Sequence, residues 1–277
     1  MGKRKSTGEE PASYVIDGFD PSQIADNTVI CLYGRRGSGK STMLKHLLFL
    51  KQHIQHGLVC SATEKATGDL EQHVPAAYIR CEYDDDITRS VIKFQRKAAG
   101  KTGNKQKPPA AFLVFDDTMF DKRFPSSPET RRLFMNGRHY NIYTLITSQY
   151  AMDLPPAMRA NIDYVIMFNE PTKQNRVKLY NNFGGIFPSY DHFERVFLAT
   201  TQNYHCMVVS NVSQSHDVRK VVFRYKCPEH MPAFAMGSRD FWADADEEER
   251  SATIKANAAE DRAERTADAT IHGAATP

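Results

Sequence analysis

The sequence has no long hydrophobic run and few cysteines, and these shortages exclude several classes of protein. No stretch reaches the roughly 18 apolar residues of a membrane-spanning helix, and the first residues lack the apolar core of a secretory signal. The five cysteines are widely spaced and form no C-x-x-C pair, which disfavours a zinc site or a disulfide framework. They are Cys31, Cys60, Cys81, Cys206 and Cys227. Such thiols are typical of a reducing compartment, cytosolic or nuclear in character.

Acidic residues outnumber basic residues near the end of the chain. Between Ser238 and Pro277 there are ten acidic and five basic residues, whereas the whole chain of 277 residues has a formal charge of +3. This distribution predicts a polar basic leader over 1–26, a folded body over 27–227, and an acidic Ala-rich tail over 228–277 that is disordered or a solvated helix. The start Met-Gly-x-x-x-Ser fits myristoylation of Gly2, although an unmodified basic leader explains it as well. A basic body is compatible with a nucleic-acid partner.

The stretch "LYGRRGSGKSTML" (32–44) contains a complete G-x-x-x-x-G-K-[ST] pattern. Its glycines let backbone N–H groups point at an anion, its lysine reaches the β- and γ-phosphates, and its hydroxyl ligates Mg²⁺. We therefore predict binding of ATP and Mg²⁺, with Lys40 on the phosphates and Ser41 on the metal. The residues predicted to contact the nucleotide are Gly34, Arg35, Arg36, Gly37, Ser38, Gly39, Lys40, Ser41 and Thr42. Arg35 and Arg36 could instead be exposed side chains at the tip of the loop.

Apolar strand patterns alternate with helical patterns along the body of the chain. Strands are predicted at 28–33, 57–63, 110–117, 142–149, 163–168, 204–210 and 219–227. Helices are predicted at 41–53, 84–99, 127–140 and 172–183. The alternation indicates an α/β P-loop fold with a mostly parallel central sheet, helices on both faces and antiparallel strands added at one edge. The strand at 57–63 separates the P-loop strand from that at 110–117, which favours P-loop ATPases with an added strand over nucleoside kinases.

Polar residues end two of these strands. The run "FLVFDD" is apolar until Asp116 and Asp117, as expected of a strand that is buried on both faces and emerges at its carboxyl end. Asp116 is predicted to hold Mg²⁺ as a Walker B residue, and Asp117 to polarise the attacking water unless it merely caps the next turn. After "LITSQ", Gln149 is long enough to sense a γ-phosphate or a water, or is an ordinary loop residue.

Missing motifs narrow the choice among phosphate-binding enzymes. A GTPase requires N-K-x-D for guanine, and "NEPTK" (169–173) does not match it. An ABC-type ATPase requires L-S-G-G-Q, which is absent. Terminase-type motors carry a nuclease domain after the ATPase, and no acidic cluster on strands follows the last strand here.

Taken in order, "GRRGSGKS", "FLVFDD", "GRHYNIYTLITSQ" and "LPPAMRANIDYVIMF" resemble the FtsK/HerA superfamily of DNA-pumping ATPases. The match is nearest to its viral branch, the poxvirus-type genome-packaging ATPases of nucleocytoplasmic large DNA viruses, and covers about residues 27–226. The ordered set, with Ser-Gln at a strand end and Pro-Pro-x-x-Arg downstream, is far more specific than the P-loop alone. The superfamily usually has Glu after the Walker B Asp, whereas this chain has Asp117, and a shorter carboxylate puts its role in doubt.

The resemblance implies an ATP-driven translocase that packages double-stranded DNA into a capsid as an oligomeric ring. It also implies a capsid or portal-vertex partner, a place in the virion and in the viral factory of the host cytoplasm, and an arginine that one subunit offers to the next. Arg138 matches that position and Arg159 is a second candidate, while a surface salt bridge is the alternative for both. The alternatives for the whole chain are a cellular FtsK/HerA-type translocase and a nucleotide-dependent scaffold that does not pump.

A basic helical face and the loop after it are the candidate DNA contacts. Four of its residues recur at helical spacing, and sequence-independent binding to phosphates requires little more than such charges. The predicted contacts are Arg89, Lys93, Arg96, Lys97, Lys101, Lys105 and Lys107. A face of this kind is also explained by simple solvation.

Overall fold

A computed structural model of the chain describes residues 15–102, 107–149 and 154–247. Eight strands in one sheet are flanked by helices, so the predicted α/β fold with a mostly parallel sheet is confirmed. The strands are β1 (Val29–Tyr33), β2 (His56–Ser61), β3 (Ile79–Arg80), β4 (Ala111–Asp116), β5 (Ile142–Ser148), β6 (Tyr164–Met167), β7 (His205–Ser210) and β8 (Val222–Lys226).

The strand order across the sheet is β3-β2-β4-β5-β1-β6-β7-β8. The first six positions pair in parallel, whereas β6–β7 and β7–β8 pair in antiparallel, as predicted for the late strands. Every residue of β1 and β5 is buried, because both faces of the central sheet are covered. The carboxyl ends of β1, β4 and β5 therefore meet at one edge, where α/β sheets bind ligands.

The helices divide between the two faces of the sheet. They are α1 (Lys40–Leu50), α2 (Glu64–Thr67), α3 (Asp85–Thr102), α4 (Arg123–Ser126), α5 (Pro128–Asn136), α6 (Pro156–Arg159), α7 (Lys173–Phe183), α8 (Tyr190–Thr200) and α9 (Val218–Val221). Buried residues of α3, α5, α7 and α8 form one core with the sheet, and those of α1 form the other. The chain is helical again over 239–247.

Local sequence explains where several helices begin and end. The Ser127 side chain accepts from the N–H groups of Glu129 and Thr130, and Pro128 occupies the first turn, so α5 starts there. α5 ends at Asn136 rather than continuing to residue 140, because the chain must turn into β5. α8 was not predicted, although Phe193 and Phe197 lie one turn apart on its buried face. The predicted strand at 219–227 is shorter because its first residues form α9.

Parts of the predicted leader and tail pack on this body. Near the start, the Phe19 N–H donates to the Arg224 carbonyl of β8 at 2.9 Å. After β8, the Met236 N–H donates to the carbonyl of His73 at 2.8 Å, and Phe234 and Phe241 are buried in the α1-side core. These two phenylalanines contact residues that are distant in sequence, and the composition of the predicted tail as a whole does not indicate such contacts. The boundaries at 26 and 227 stay predictions, and Gly2 and residues 248–277 lie outside the described residues.

Candidate active site

The phosphate-binding loop connects β1 to α1 at the carboxyl edge of the sheet. Gly37 and Gly39 have φ values of 75° and 102°, a left-handed conformation that side chains rarely adopt. Gly39 is the N-cap of α1, so the free N–H groups and the positive end of that helix face the loop. This local geometry is suited to an anion such as a phosphate group.

Lys40 is buried inside the loop. Its Nζ donates to the carbonyl oxygens of Gly34 at 2.5 Å and Arg35 at 3.1 Å. Burial lowers the pKa of Lys40, and the nearby carboxylates of Asp117 and Asp116 oppose that shift. A cation held by two carbonyl dipoles and faced by two carboxylates is well placed to bind phosphate oxygens.

Phe168, which follows β6, packs against the loop and explains why residue 34 is glycine. A Cβ at Gly34 would lie 2.8 Å from Phe168 Cβ and 2.5 Å from Ser38 Oγ. Phe168 is 2% exposed and its ring also approaches Gly39. Ser38 Oγ is buried and has no hydrogen-bond partner within the described part of the chain. Ser38 is therefore a free donor inside the loop, which a bound oxyanion would satisfy.

Asp116 is the last residue of β4, and hydroxyl groups from both neighbouring strands bind its carboxylate. Thr147 Oγ1 of β5 donates to Oδ1 at 2.6 Å, and Ser61 Oγ of β2 donates to Oδ2 at 3.1 Å. Burial raises the pKa of Asp116, Asp117 raises it further, and the two hydroxyls and Lys40 oppose the shift. A half-buried carboxylate whose ionised form is disfavoured is a good ligand for a cation, because the positive charge offsets the same electrostatic cost.

Asp117 and Gln149 contact each other beside Asp116. Asp117 has a φ of 49°, in the left-handed region, and its N–H donates to Thr147 Oγ1 at 2.9 Å. Gln149 Nε2 donates to Asp117 Oδ2 at 3.0 Å. The structure thus brings Lys40, Asp116, Asp117 and Gln149 together at one edge of the sheet. Thr147 and Ser61 belong to the same site and were not predicted.

The remaining loop residues face solvent. Arg35 and Arg36 are exposed at the loop tip, and Ser41 and Thr42 are exposed in the first turn of α1. The Ser41 side chain therefore remains accessible to solvent. Among the described residues, no group of three or more His, Cys, Asp or Glu could hold a metal ion. One carboxylate and one hydroxyl fit Mg²⁺, which usually takes its other ligands from substrate phosphates and water.

Arg138 lies at the opposite edge of the sheet. It follows α5 and pairs with Asp163, which is 3% exposed and accepts the N–H of Val29 at 2.9 Å. Since these residues stand at the starts of β5, β6 and β1, Arg138 cannot face the loop of its own chain. Arg159 ends α6 and donates to the Leu154 carbonyl at 2.6 Å. The finger role of either arginine stays a prediction.

The predicted basic face lies on the solvent side of α3. Lys93, Arg96 and Lys97 are exposed, and Arg96 donates to the Tyr140 hydroxyl at 2.8 Å. Arg89 pairs with Asp86 and lies 3.8 Å from Glu129 of α5. Lys101 is in the last turn of α3, Lys107 is exposed, and Lys105 lies outside the described residues. Arg131 and Arg132 of the neighbouring α5 are also exposed and were not predicted, and Arg132 pairs with Glu129 at 2.9 Å.

Comparison with known proteins gives both viral relatives and viral structures. Uncharacterized protein 088R of invertebrate iridescent virus 3 is 35% identical over 235 residues, covering 83% of this chain and 86% of that protein. Protein 075L of invertebrate iridescent virus 6 is 34% identical over 227 residues, covering 78% and 87%. Protein L437 of Acanthamoeba polyphaga mimivirus is 29% identical over 229 residues, covering 80% of each. No protein-family model matches the chain.

Among solved structures, the chain resembles the genome packaging NTPase B204 of Sulfolobus turreted icosahedral virus 2. Its AMPPCP complex has a TM-score of 0.53 at 19% identity and covers 74% of this chain and 100% of that one. Its ATP-gammaS complex has a TM-score of 0.51 at 19% identity and covers 76% and 100%. The likeness shows a shared fold, and the predicted resemblance to viral genome-packaging ATPases is confirmed at that level. In the described part of this chain, no helix is long and apolar enough to cross a membrane.

Proposed function

This chain belongs to one protein family with 088R of invertebrate iridescent virus 3 and 075L of invertebrate iridescent virus 6, and from that premise we propose that it is an ATP-driven motor that packages a viral genome. One observation supports the proposal most strongly. A buried lysine in a phosphate-binding loop faces a pair of carboxylates and a glutamine at the carboxyl edge of a parallel sheet. This combination serves ATP hydrolysis better than passive nucleotide binding, because a binding module has no need of a second carboxylate beside the first.

In the proposed reaction, each residue has one task. Lys40 exchanges its two carbonyl contacts for phosphate oxygens and neutralises their charge. Ser41 and Asp116 would hold Mg²⁺, which would supply polarisation of the terminal phosphates. Asp117 accepts the proton of a water that attacks the γ-phosphorus as the bond to the ADP oxygen breaks. Gln149 moves from Asp117 to the water or to the γ-phosphate. The shorter carboxylate at 117 lies near enough to Lys40 to oppose the shift of its pKa, and Gln149 Nε2 donates to its Oδ2 at 3.0 Å.

We propose double-stranded DNA as the polymer that the motor moves. The basic residues Lys93, Arg96 and Lys97 of α3 are exposed and would contact phosphates, and such contacts carry no sequence requirement. Each neutralised phosphate would add about one unit to the salt dependence of binding. The partners of the motor would be further copies of this chain in a ring and a capsid or portal-vertex protein. It would act in the viral factory of the host cytoplasm and in the virion.

Measurement of ATP turnover with and without duplex DNA tests the proposal. Wild-type protein should hydrolyse ATP, duplex DNA should accelerate it, and Lys40→Ala should abolish it. The matched control is Lys45→Ala, because Lys45 lies on the same helix with its Nζ 3.7 Å from Asp69, away from the loop. Turnover that Lys40→Ala leaves unchanged would refute the ATPase assignment. Turnover that depends on Lys40 but is indifferent to DNA would favour a nucleotide-dependent scaffold over a motor.

A second measurement addresses the DNA face. Reversing Lys93 and Lys97 to Glu should weaken duplex binding and flatten its salt dependence, since both side chains are exposed on α3. Reversing Lys65 and Lys122 to Glu makes the same change of net charge elsewhere and serves as the control. If both double variants bind DNA alike, the contact lies outside α3.

A further inference from the structure

Thr147 occupies a special position in the proposed active site. It is fully buried in β5, and its hydroxyl forms hydrogen bonds with both Asp116 and Asp117. The Oγ1 atom donates its one proton to Asp116 Oδ1 at 2.6 Å and accepts the N–H of Asp117 at 2.9 Å. Donor and acceptor capacities of the hydroxyl are thus both used, which fixes its orientation.

The first of these contacts restricts the Asp116 carboxylate. Ser61, the register partner of Asp116 across the β2–β4 ladder, binds Oδ2, while Thr147 binds Oδ1 from the other side. A carboxylate held at both oxygens cannot rotate about χ2, so its free lone pairs point in a fixed direction. Groups that orient a metal ligand in this way commonly affect metal affinity or activity by roughly ten- to hundredfold.

The second contact restricts the backbone of Asp117. The left-handed backbone conformation is unfavourable for residues other than glycine, so Asp117 requires support from its surroundings. The Thr147 hydroxyl gives that support by accepting the Asp117 N–H, and Gln149, two residues further along, binds the Asp117 side chain. The end of β5 therefore holds Asp117 at two points, its backbone N–H through Thr147 and its carboxylate through Gln149.

We propose that Thr147 is a positioning residue that couples the metal-side carboxylate of Asp116 to the water-side residue Asp117 through one hydroxyl group. The inference rests on the proposed ATPase function. If the hydroxyl is lost, Asp116 Oδ1 and the Asp117 N–H both lose their partner in a buried site, and the two carboxylates are no longer held at a fixed separation. The rate of the chemical step and the affinity for Mg²⁺ should fall together, whereas the affinity of the loop for the nucleotide should not change.

The test is a comparison of Thr147→Val with Thr144→Val. Thr144 is fully buried on the same strand, and its Oγ1 has no hydrogen-bond partner among the described residues. The two variants make the same change in shape and chemistry, and only one removes hydrogen bonds. We expect Thr147→Val to lower kcat by roughly ten- to hundredfold and to raise the half-saturating Mg²⁺ concentration by roughly tenfold, at little change in ATP affinity measured without Mg²⁺. Thr144→Val should match wild type in all three measurements.

A third variant, Thr147→Ser, separates the hydroxyl from the methyl group. Because it keeps the donor and the acceptor, it should restore kcat and the Mg²⁺ dependence even if the lost methyl lowers the melting temperature. Equal kcat values for Thr147→Val and Thr144→Val would overturn the proposal, as would a Thr147→Ser variant as impaired as Thr147→Val. In either case Lys40-dependent turnover of the wild type would persist, so the ATPase assignment would stand. Wild-type turnover that survives Lys40→Ala would instead overturn both.

Discussion

Phe241 offers a quantitative test of whether the segment after β8 is part of the folded body. Its side chain is 7% exposed, and its ring stacks on Tyr78 with centroids 4.2 Å apart and 12° between planes. The rings of Phe241 and Phe112 are nearly perpendicular, with centroids 6.2 Å apart. Phe241→Ala removes nearly all of this contact. Replacing a buried phenylalanine by alanine costs about 3–5 kcal/mol. Since Phe241 borders an open groove of about 500 Å³, its neighbours can relax, and the expected loss is about 3 kcal/mol.

The expected loss can be read from chemical denaturation or from a thermal melt. For a domain of this size, about 3 kcal/mol corresponds to a fall in Tm of roughly 6–12 °C. Phe94→Ala is the matched control, because Phe94 borders the same groove but is 53% exposed. About half of its surface is already in water, so its loss should cost about 1 kcal/mol. If Phe241→Ala costs no more than Phe94→Ala, residues 239–247 do not pack on the sheet in solution.

Three further predictions concern the candidate active site and the proposed ring. Gly34→Ala should weaken ATP binding roughly tenfold in an ATP titration, because its Cβ would lie 2.8 Å from Phe168 Cβ, while Gly185→Ala, with nothing within 4 Å, should not. Burial raises the pKa of Asp116 above its unfolded value, so its ionisation destabilises the nucleotide-free protein as pH rises above about 4. Asp116→Asn should therefore melt higher than wild type at pH 7, with a difference that shrinks toward pH 4, and a constant difference would contradict this origin. Arg138→Ala should bind ATP but hydrolyse it roughly 10³-fold more slowly, and mixing it with Lys40→Ala should restore some turnover. No rescue despite shown co-assembly would leave Arg159 as the candidate.

The fold and the principal site residues were predictable because their signals are local. The P-loop spacing and an apolar run that ends in two aspartates each lie within a dozen residues, and burial on both faces of a strand is visible as an uninterrupted apolar run. Asp116 and Gln149 then follow, because the carboxyl ends of parallel strands share one edge. The late strands were predictable in kind but not in length, since α9 takes the first residues of the last predicted strand.

What sequence reasoning missed depends on contacts between distant residues. Ser61 and Thr147 are ordinary strand residues until the register places Ser61 opposite Asp116, 55 positions away. The sequence indicates only that Asp163 is a polar residue at the start of a strand. In the structure its carboxylate pairs with Arg138 and accepts the N–H of Val29. Phe234 follows the last strand in a segment with no helix or strand pattern, and its contacts with His73 (ring centroids 4.1 Å apart) and Phe49 (5.6 Å) place it in the core. Composition averages over a window and cannot reveal such pairs.

The two outer strands of the sheet have a consequence for assembly. An unpaired outer strand is a template on which another chain can add by backbone hydrogen bonding, and proteins avoid this with very short or covered strands. At one side β3 has only two residues. At the other side Arg224 of β8 exchanges backbone hydrogen bonds with Asp17 and Phe19, and the Phe19 ring lies 5.8 Å from that of Phe223. Within the described residues, both outer strands are thus protected against strand addition, so assembly of the proposed ring would use helices and loops rather than a sheet that continues from one copy to the next.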